Sequence, residues 1–137
     1  MRRYLLDTNI LSDVIKNPKG KAAKRIAAKP PEALFTSIVV AAEMRFGIEK
    51  KGSEVLAARV EALLEHIRVA ALDRDADRHY GRIRAQLERE GKTIGANDLL
   101  IAAHALALDA VLVTGNVDEF KRVKGLKVEN WLVAIER

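Results

Sequence analysis

Short apolar runs alternate along the chain with longer segments in which apolar residues recur at helical spacing. The runs predict strands at residues 4–6, 34–36, 67–72 and 110–113, and a last edge strand at 126–128. The longer segments predict helices from residue 7 or 9 to 15 and at 21–28, 38–50, 54–66, 73–90, 99–108 and 116–123. Because strands alternate with helices, the pattern predicts an α/β domain with a mostly parallel sheet.

Capping residues support several of these boundaries. Ser37 and Ser53 precede two of the predicted helices, and a serine hydroxyl at that place can accept a hydrogen bond from a first-turn amide. Gly52 and Gly91 follow two of the helices, where a left-handed residue commonly ends the helix. In open parallel sheets the functional site lies beyond the carboxyl ends of the strands. We therefore expect the residues after the strands at 4–6 and 110–113 to be neighbours.

Length and composition are those of one ordinary domain. The 137 residues are 49% hydrophobic and 31% charged, which predicts a single domain spanning 1–137. No apolar run approaches the roughly 20 residues of a bilayer span, and Asp7 interrupts the N-terminal apolar stretch too early for an ordinary secretory signal. The chain has no cysteine, which excludes disulfides and thiolate metal sites. We expect a cytoplasmic protein without a membrane partner.

The positive charge of the chain is concentrated in its first 30 residues. That segment contains eight Lys or Arg and two Asp, a net +6, so the other 107 residues sum to −1 of the total +5. A basic segment can attract a polyanion such as nucleic acid, although a solvated helix face is the simpler alternative. Between the first strand and residue 30, the basic side chains are Lys16, Lys19, Lys21, Lys24, Arg25 and Lys29. We predict RNA contacts by Lys19, Lys21, Lys24 and Arg25 in particular.

Three acidic residues lie beside strongly apolar sequence. Asp7 directly follows the first strand, Glu43 lies within the run TSIVVAAEMRFGIE, and Asp98 lies at the start of the most apolar helix. Taken singly, the two aspartates can be helix caps and the glutamate a surface residue. Taken together, carboxylates in one pocket repel one another unless a cation is bound. Such oxygen ligands suit Mg²⁺ or Mn²⁺, which promote phosphodiester cleavage, so a basic surface beside them predicts a metal-dependent nuclease.

Four sequence blocks resemble a known family. They are LLDTNI at 5–10, SIVVAAEMRFGI at 37–48, GKTIGANDLLIAAHAL at 91–106 and LVTGNVDEFKRVKGLKVENW at 112–131. In this order and spacing, the chain resembles the PIN-domain family and, within it, the VapC-type toxins of bacterial toxin–antitoxin pairs. The resemblance implies a three-layer α/β/α fold with about five parallel strands. It also implies an acidic Mg²⁺ pocket, with Mn²⁺ as a substitute, and endoribonuclease activity.

The family pattern carries over to individual residues. Asp7, Glu43 and Asp98 match its three acids. For the fourth position the resemblance favours Glu119 as the outer acid and Asn116 as a polar metal ligand, with Asp118 as a weaker substitute. The strand-end residues Thr8 and Thr114 resemble residues that hydrogen-bond the pocket acids, and Asn9 resembles a structural hydrogen-bonding residue of the motif.

The resemblance also implies a biological setting. It implies the toxin of a type II toxin–antitoxin system, which forms a homodimer and is blocked by the tail of a cognate VapB-type antitoxin. The expected chemistry is in-line attack of water on a phosphodiester, which leaves a 5′-phosphate and a 3′-hydroxyl. Relatives of this type cut tRNA anticodon loops, ribosomal RNA or messenger RNA to stop translation and growth. No residue of this chain selects among those targets.

Two other functional classes remain open at this point. A phospho-acceptor or phosphatase domain also has an aspartate after its first parallel strand. A dehalogenase-like phosphatase needs a second aspartate where this chain has Asn9, and a receiver needs a lysine just after a late strand, whereas Lys127 is predicted within one. A non-catalytic PIN-fold module that only binds RNA usually lacks one or more of the acids, and this chain has all three. Outside the pocket, we expect His104 to be a packed core or interface residue and Trp131 to anchor the C-terminal segment.

Overall fold

A computed structural model describes residues 1–134 of the chain. Five short strands form one sheet. They are β1 (Tyr4–Leu6), β2 (Leu34–Ser37), β3 (Arg68–Ala70), β4 (Val111–Val113) and β5 (Val128–Glu129). The helices are α1 (Thr8–Lys16), α2 (Lys21–Ala27), α3 (Ile38–Lys51), α4 (Glu54–His66), α5 (Ala76–Glu90), α6 (Ala96–Ala107) and α7 (Val117–Phe120), with a 3-10 turn at Pro31–Ala33.

The strand order is β3-β2-β1-β4-β5, and every pairing among the described strands is parallel. β1 is central, pairing Leu5 with Phe35 on one side and with Leu112 on the other. Helices cover the sheet to give a three-layer α/β/α arrangement. The predicted fold class is therefore confirmed, and the sheet is more uniform than the mostly parallel one that the pattern predicts.

The core lies on both sides of β1 and β4. All three residues of each strand are buried, as expected for strands covered on both faces. Trp131 is fully buried and its ring lies 5.1 Å from that of Tyr4, so the C-terminal segment is anchored to β1 as predicted. His104 is also buried, and its Nδ1 is 2.8 Å from the Ser37 hydroxyl, as expected of a packed core residue.

Most helix boundaries follow their capping residues. Ser37 and Ser53 accept hydrogen bonds from the amides of Val39 and Leu56 at 3.0 and 3.2 Å. Gly52 and Gly91 have φ of 63° and 67°, which glycine adopts without strain. Asp7 caps α1 through its own side chain, which accepts from the Thr8 amide.

Several predicted boundaries are wrong by a few residues. α5 begins at Ala76 rather than at 73, because the preceding Asp75 takes a positive φ of 77° that breaks the helical path. β3 is shorter than predicted, because its partner β2 ends at Ser37 and offers no further residues to pair with. α6 begins three residues earlier than predicted, and α7 ends three residues earlier. β5 begins after Lys127, where it pairs with the end of β4.

Within 1–134, no helix combines the length and the apolarity that crossing a bilayer requires.

Candidate active site

The candidate site is a cavity at the carboxyl ends of β1 and β4. These strands are hydrogen-bonded neighbours, and the Asp7 amide, just beyond β1, donates to the Val113 carbonyl at 2.9 Å. The cavity has a volume of about 560 Å³. Its lining residues are Asp7, Thr8, Asn9, Ser12, Asp13, Lys16, Glu43, Asp98, Asn116 and Leu132. The position is the one expected for a parallel α/β sheet.

Asp7 is held rigidly at the floor of this cavity. The residue is only 3% exposed. Its Oδ1 accepts from the Thr8 amide at 2.8 Å, and its Oδ2 accepts from the Thr114 hydroxyl at 2.8 Å. Burial raises the pKa of Asp7, while these two hydrogen bonds lower it and the nearby Glu43 and Glu119 carboxylates raise it further. Asp7 is thus both the cap of α1 and a pocket carboxylate.

A hydrogen-bond network joins the start of α1 to the loop after β4. The Thr114 hydroxyl accepts from Asn9 Nδ2 at 3.3 Å and from the Asn116 amide at 3.1 Å. The Gly115 amide donates to Asn9 Oδ1 at 2.8 Å. A Cβ on Gly115 would lie 2.8 Å from Leu132 Cδ1, so any larger residue here would require the Leu132 side chain to move. Asn9 therefore supports the loop rather than bonding an acid directly.

Glu43 enters the site from α3. It is half-buried, and its Oε1 accepts from the Thr8 hydroxyl at 2.9 Å. Thr8 consequently contacts two acids, donating its amide to Asp7 and its hydroxyl to Glu43. This contact explains how a carboxylate is tolerated within an otherwise apolar run, because the group faces the cavity and keeps a hydrogen-bond donor.

Asp98 lies in the first turn of α6, next to Glu119 of α7. Partial burial, a hydrogen bond with Glu119 and repulsion from Glu119, Asp7 and Glu43 raise the pKa of Asp98 to about 7. Glu119 Oε1 also accepts from the Gly95 amide at 3.3 Å, which ties α7 to the beginning of α6. Four carboxyl groups from four helices or their caps therefore repel one another around one site.

Two residues compete for the fourth position of the acidic set. Asn116 is exposed and lines the cavity, whereas Glu119 is half-buried, contacts Asp98 and is not among the lining residues. Asp118 is exposed and does not line the cavity. The geometry therefore leaves Asn116 and Glu119 as the residues to separate by experiment.

The donor set suits a hard cation. Asp7, Glu43, Asp98 and Asn116 offer only oxygen ligands at the cavity wall, the kind that Mg²⁺ and Mn²⁺ take. The mutual repulsion that raises the pKa of Asp98 is what a cation would relieve. Within residues 1–134, no three His, Cys, Asp or Glu side chains are close enough to form a ready-made metal cage. An ion would therefore have to draw the carboxylates together.

The basic residues predicted to contact RNA lie in three different places. Lys19 and Lys21 line a second cavity that adjoins the acidic one. Lys24 is exposed and is not among the residues lining either cavity. Arg25 instead lies 5.3 Å from the centre of the Trp131 ring and 3.6 Å from a Glu129 carboxylate oxygen. The four residues predicted to contact RNA therefore do not share one surface.

Sequence reasoning missed part of the cavity wall. Ser12 and Asp13 line it although neither was predicted, and Lys16 was predicted only as part of the basic segment. The signal was available in the helical period of α1, because residues four apart share a face. Ser12 and Lys16 lie four and eight residues after Thr8, which was predicted to be in the pocket, so they share its face of α1.

Comparison with known proteins identifies the family. The PIN-domain model matches residues 4–126. The chain belongs to the PIN-domain family. Ribonuclease VapC2 of Rickettsia felis is 37% identical to this PIN domain over 130 residues, covering 93% of this chain and 97% of its own. The tRNA(fMet)-specific endonuclease VapC of Shigella flexneri is 36% identical over 132 residues, covering 96% and 99%.

A solved structure gives the same result. The DNA-bound VapBC structure from Salmonella typhimurium matches this PIN domain with a TM-score of 0.88 and 34% identity, covering 96% of this chain and 99% of that one. The chain therefore groups with the VapC ribonucleases of the PIN-domain nuclease family. Nucleases of this family generally use divalent metal ions. The phospho-acceptor alternative loses its basis, because the PIN-domain model matches residues 4–126.

Proposed function

We propose that this chain is a Mg²⁺-dependent endoribonuclease, a single PIN domain that acts as the toxin of a type II toxin–antitoxin system. The observation that carries the proposal is the convergence of Asp7, Glu43 and Asp98 on one cavity at the carboxyl ends of β1 and β4. Family membership supports it, because the similar VapC proteins are named ribonucleases or endonucleases. A protein that only bound RNA would have no need of mutually repelling acids at this place.

The acids would hold the ion, and other side chains would hold the acids. Asp7, Glu43 and Asp98, with Glu119 or Asn116, would bind Mg²⁺ or Mn²⁺, which supplies positive charge to the phosphate and makes water more acidic. Thr114 and Thr8 fix the orientation of Asp7 and Glu43 by hydrogen bonds of 2.8 and 2.9 Å. Preset orientation reduces the reorganisation needed when charge develops in the transition state.

The reaction is hydrolysis of a phosphodiester in line with the leaving oxygen. A water oxygen forms a bond to phosphorus as the bond from phosphorus to the 3′-oxygen breaks. The attacking water gives up a proton and the leaving 3′-oxygen takes one, so the products are a 5′-phosphate and a 3′-hydroxyl. We assign the outer acid role to Glu119, because it contacts Asp98 and adds negative charge near the ion, and we assign to Asn116 the role of a neutral ligand.

We further propose that tRNA is the substrate class and that its anticodon loop is the cleaved region. The support is the similarity to the tRNA(fMet)-specific endonuclease of Shigella flexneri across nearly the whole chain. An exposed loop also suits an open site on the protein surface, because its bases are already unstacked. Cleavage there would stop translation and growth, and would place the protein in the cytoplasm.

The partner we propose is a VapB-type antitoxin. The similar structure from Salmonella typhimurium is a VapBC complex bound to DNA. By analogy, the antitoxin of this chain would cover the acidic cavity with its tail, and the toxin would be a homodimer in the complex.

The test is cleavage of defined RNAs by the purified chain. We expect Mg²⁺ or Mn²⁺ to support cleavage of tRNA, EDTA to abolish it, and Asp98→Asn to remove it while the fold persists. Asp118→Asn is the matched control, since that acid is exposed and does not line the cavity. RNA binding without cleavage under any divalent ion would overturn the nuclease assignment in favour of a binding module. Equal cutting by Asp98→Asn and the parent would remove Asp98 from the site.

A further inference from the structure

The acidic cavity continues into a basic trough. The trough lies over the turn between α1 and α2 and has a volume of about 530 Å³. It is lined by Asp13, Lys16, Asn17, Pro18, Lys19, Gly20, Lys21 and Leu132. Asp13, Lys16 and Leu132 line both spaces, so the trough directly adjoins the acidic cavity.

The lysines of the trough are available to a ligand. Among residues 1–134, none of the ion pairs involves Lys16, Lys19 or Lys21. All three are exposed. The one acid of the trough, Asp13, accepts a hydrogen bond from Asn17 Nδ2 at 2.9 Å. The trough therefore carries a net positive charge of about two and suits a polyanion.

The shape of the trough is set by a tight turn. The Asn17 amide donates to the Asp13 carbonyl at 2.7 Å, and the Gly20 amide donates to the Asn17 carbonyl at 2.8 Å. A Cβ on Gly20 would lie 3.1 Å from both the Asn17 Cβ and the Asn17 carbonyl oxygen. The closely packed turn therefore fixes where the backbone of each lysine lies relative to the acidic cavity.

A different surface lies on the other side of the acidic cavity. There, a smaller groove of about 190 Å³ combines the apolar side chains of Ile15, Met44, Leu56 and Val60 with polar ones. The polar and charged lining residues are Thr8, Ser12, Lys16, Glu43 and Lys51. With Lys16 and Lys51 against Glu43, the groove carries a net positive charge of about one, which is lower than that of the trough, so it attracts a phosphate backbone less. Lys16 lines this groove, the acidic cavity and the trough, so it stands at the junction of all three.

We propose that the single strand of RNA leaves the acidic cavity through this trough, with Lys16 binding a phosphate next to the cleaved one. This inference rests on the proposed nuclease function. Lys19 and Lys21 contact the phosphates that follow, and Leu132 gives the strand an apolar wall. These contacts position the strand without reading its bases, because lysine recognises phosphate by charge. Lys24, predicted from sequence as an RNA contact, falls outside the trough and makes no such contact.

The experiment measures RNA affinity against salt concentration, using Asp98→Asn as the background so that the RNA stays intact. The probe is a fluorescent single-stranded RNA that contains a tRNA anticodon-loop sequence. Lys16→Gln, Lys19→Gln and Lys21→Gln should each weaken binding and lower the log–log salt slope by about 0.7, the value for one lost phosphate contact on a single strand. Lys24→Gln, which removes the same charge from α2 outside the trough, should leave the slope unchanged. Lys16→Arg should restore the slope.

A second measurement separates this proposal from the proposed function. With Asp98 intact, Lys16→Gln should raise KM for RNA cleavage by several-fold and leave the cleavage site unchanged. Cleavage with normal KM and an unchanged salt slope in all three variants would overturn the trough and leave the nuclease in place. RNA that is bound but never cut would overturn the proposed nuclease function. The salt slopes would still show whether RNA binds in the trough. If Lys24→Gln lost as much RNA affinity as the trough variants, diffuse electrostatic attraction would explain the binding and the trough would not. If the trough variants lost affinity for the antitoxin and kept their affinity for RNA, the trough would be an antitoxin-binding surface.

Discussion

Thr114, just beyond β4, donates a hydrogen bond of 2.8 Å to Asp7, just beyond the neighbouring strand β1. The hydroxyl is fully buried and also accepts from Asn9 and from the Asn116 amide. One side chain thus joins the first pocket acid, the start of α1 and the loop that carries the fourth position. The orientation of Asp7 depends on this contact, because within residues 1–134 the only other hydrogen bond to its carboxylate comes from the Thr8 amide.

Replacement of Thr114 should therefore affect both stability and cleavage. Thr114→Val keeps the shape but leaves the buried Asp7 carboxylate with one donor fewer, which should cost about 1–3 kcal/mol of unfolding free energy. It should also slow cleavage, because the carboxylate loses its fixed orientation. Thr114→Ser keeps the hydroxyl and should retain most of both properties. Denaturant unfolding and RNA cleavage measure the two effects, and a Val variant as stable and active as the Ser variant would contradict this role.

Much of the fold could be predicted from the sequence because its signals are local. The strands at 4–6 and 111–113 are short apolar runs that end at polar residues, and Ser37 and Ser53 cap the helices that they precede. The start of α5 was misplaced because the positive φ of Asp75 is not encoded by a glycine. The length of β3 depends on where its partner strand stops, which is a property of the sheet and not of the segment.

The site, too, could be predicted only where its signals are local in the sequence. A lone acid next to an apolar run is visible in sequence, and the structure brings Asp7, Glu43 and Asp98 to one cavity. The direction of Arg25 was not visible, because it is set by packing against Trp131, more than 100 positions away. The distinction between Lys21 and Lys24 likewise requires the position of the turn between α1 and α2.

The stability of the metal-free protein should fall as the pH rises. A carboxyl group with a raised pKa in the folded state favours folding only while it is protonated. For Asp98 this contribution is complete below its ordinary value of 3.8 and is lost as the pH rises through about 7. The raised pKa of Asp7 acts in the same direction.

Melting temperatures in EDTA from about pH 5 to about pH 8 provide the measurement. The parent should lose stability over this range. Asp98→Asn should give a flatter profile, because its amide does not titrate, whereas the exposed Asp118→Asn should follow the parent. The comparison between variants is the deciding one, because the lowered pKa of the buried His104 adds an opposite slope to all three proteins. An Asp98→Asn profile parallel to that of the parent would show that Asp98 does not cause the loss.

Divalent ions should restore the stability that the repulsion removes. An ion that binds only the folded state at about 100 times its dissociation constant adds about 2.7 kcal/mol. The melting temperature should therefore rise with Mn²⁺ or Mg²⁺, and the rise should be smaller in Asp7→Asn. Asparagine is a suitable control because it can still cap α1 but brings no charge. The same rise in both proteins would place the metal site elsewhere on the chain.

The last prediction separates Glu119 from Asn116. Glu119→Gln removes a negative charge that contacts Asp98, so it should slow cleavage more than Asn116→Ala, which removes only a neutral group at the cavity wall. Loss of the Glu119 charge should also lower the pKa of Asp98 toward its ordinary value, because repulsion from Glu119 is one of the causes that raise it. The measurements are cleavage rates at saturating Mn²⁺ and a carbon-detected titration of the Asp98 carboxyl in metal-free protein. A larger cleavage defect in Asn116→Ala, together with an unchanged Asp98 titration in Glu119→Gln, would assign the fourth position to Asn116 and leave Glu119 as a structural link between α7 and Gly95.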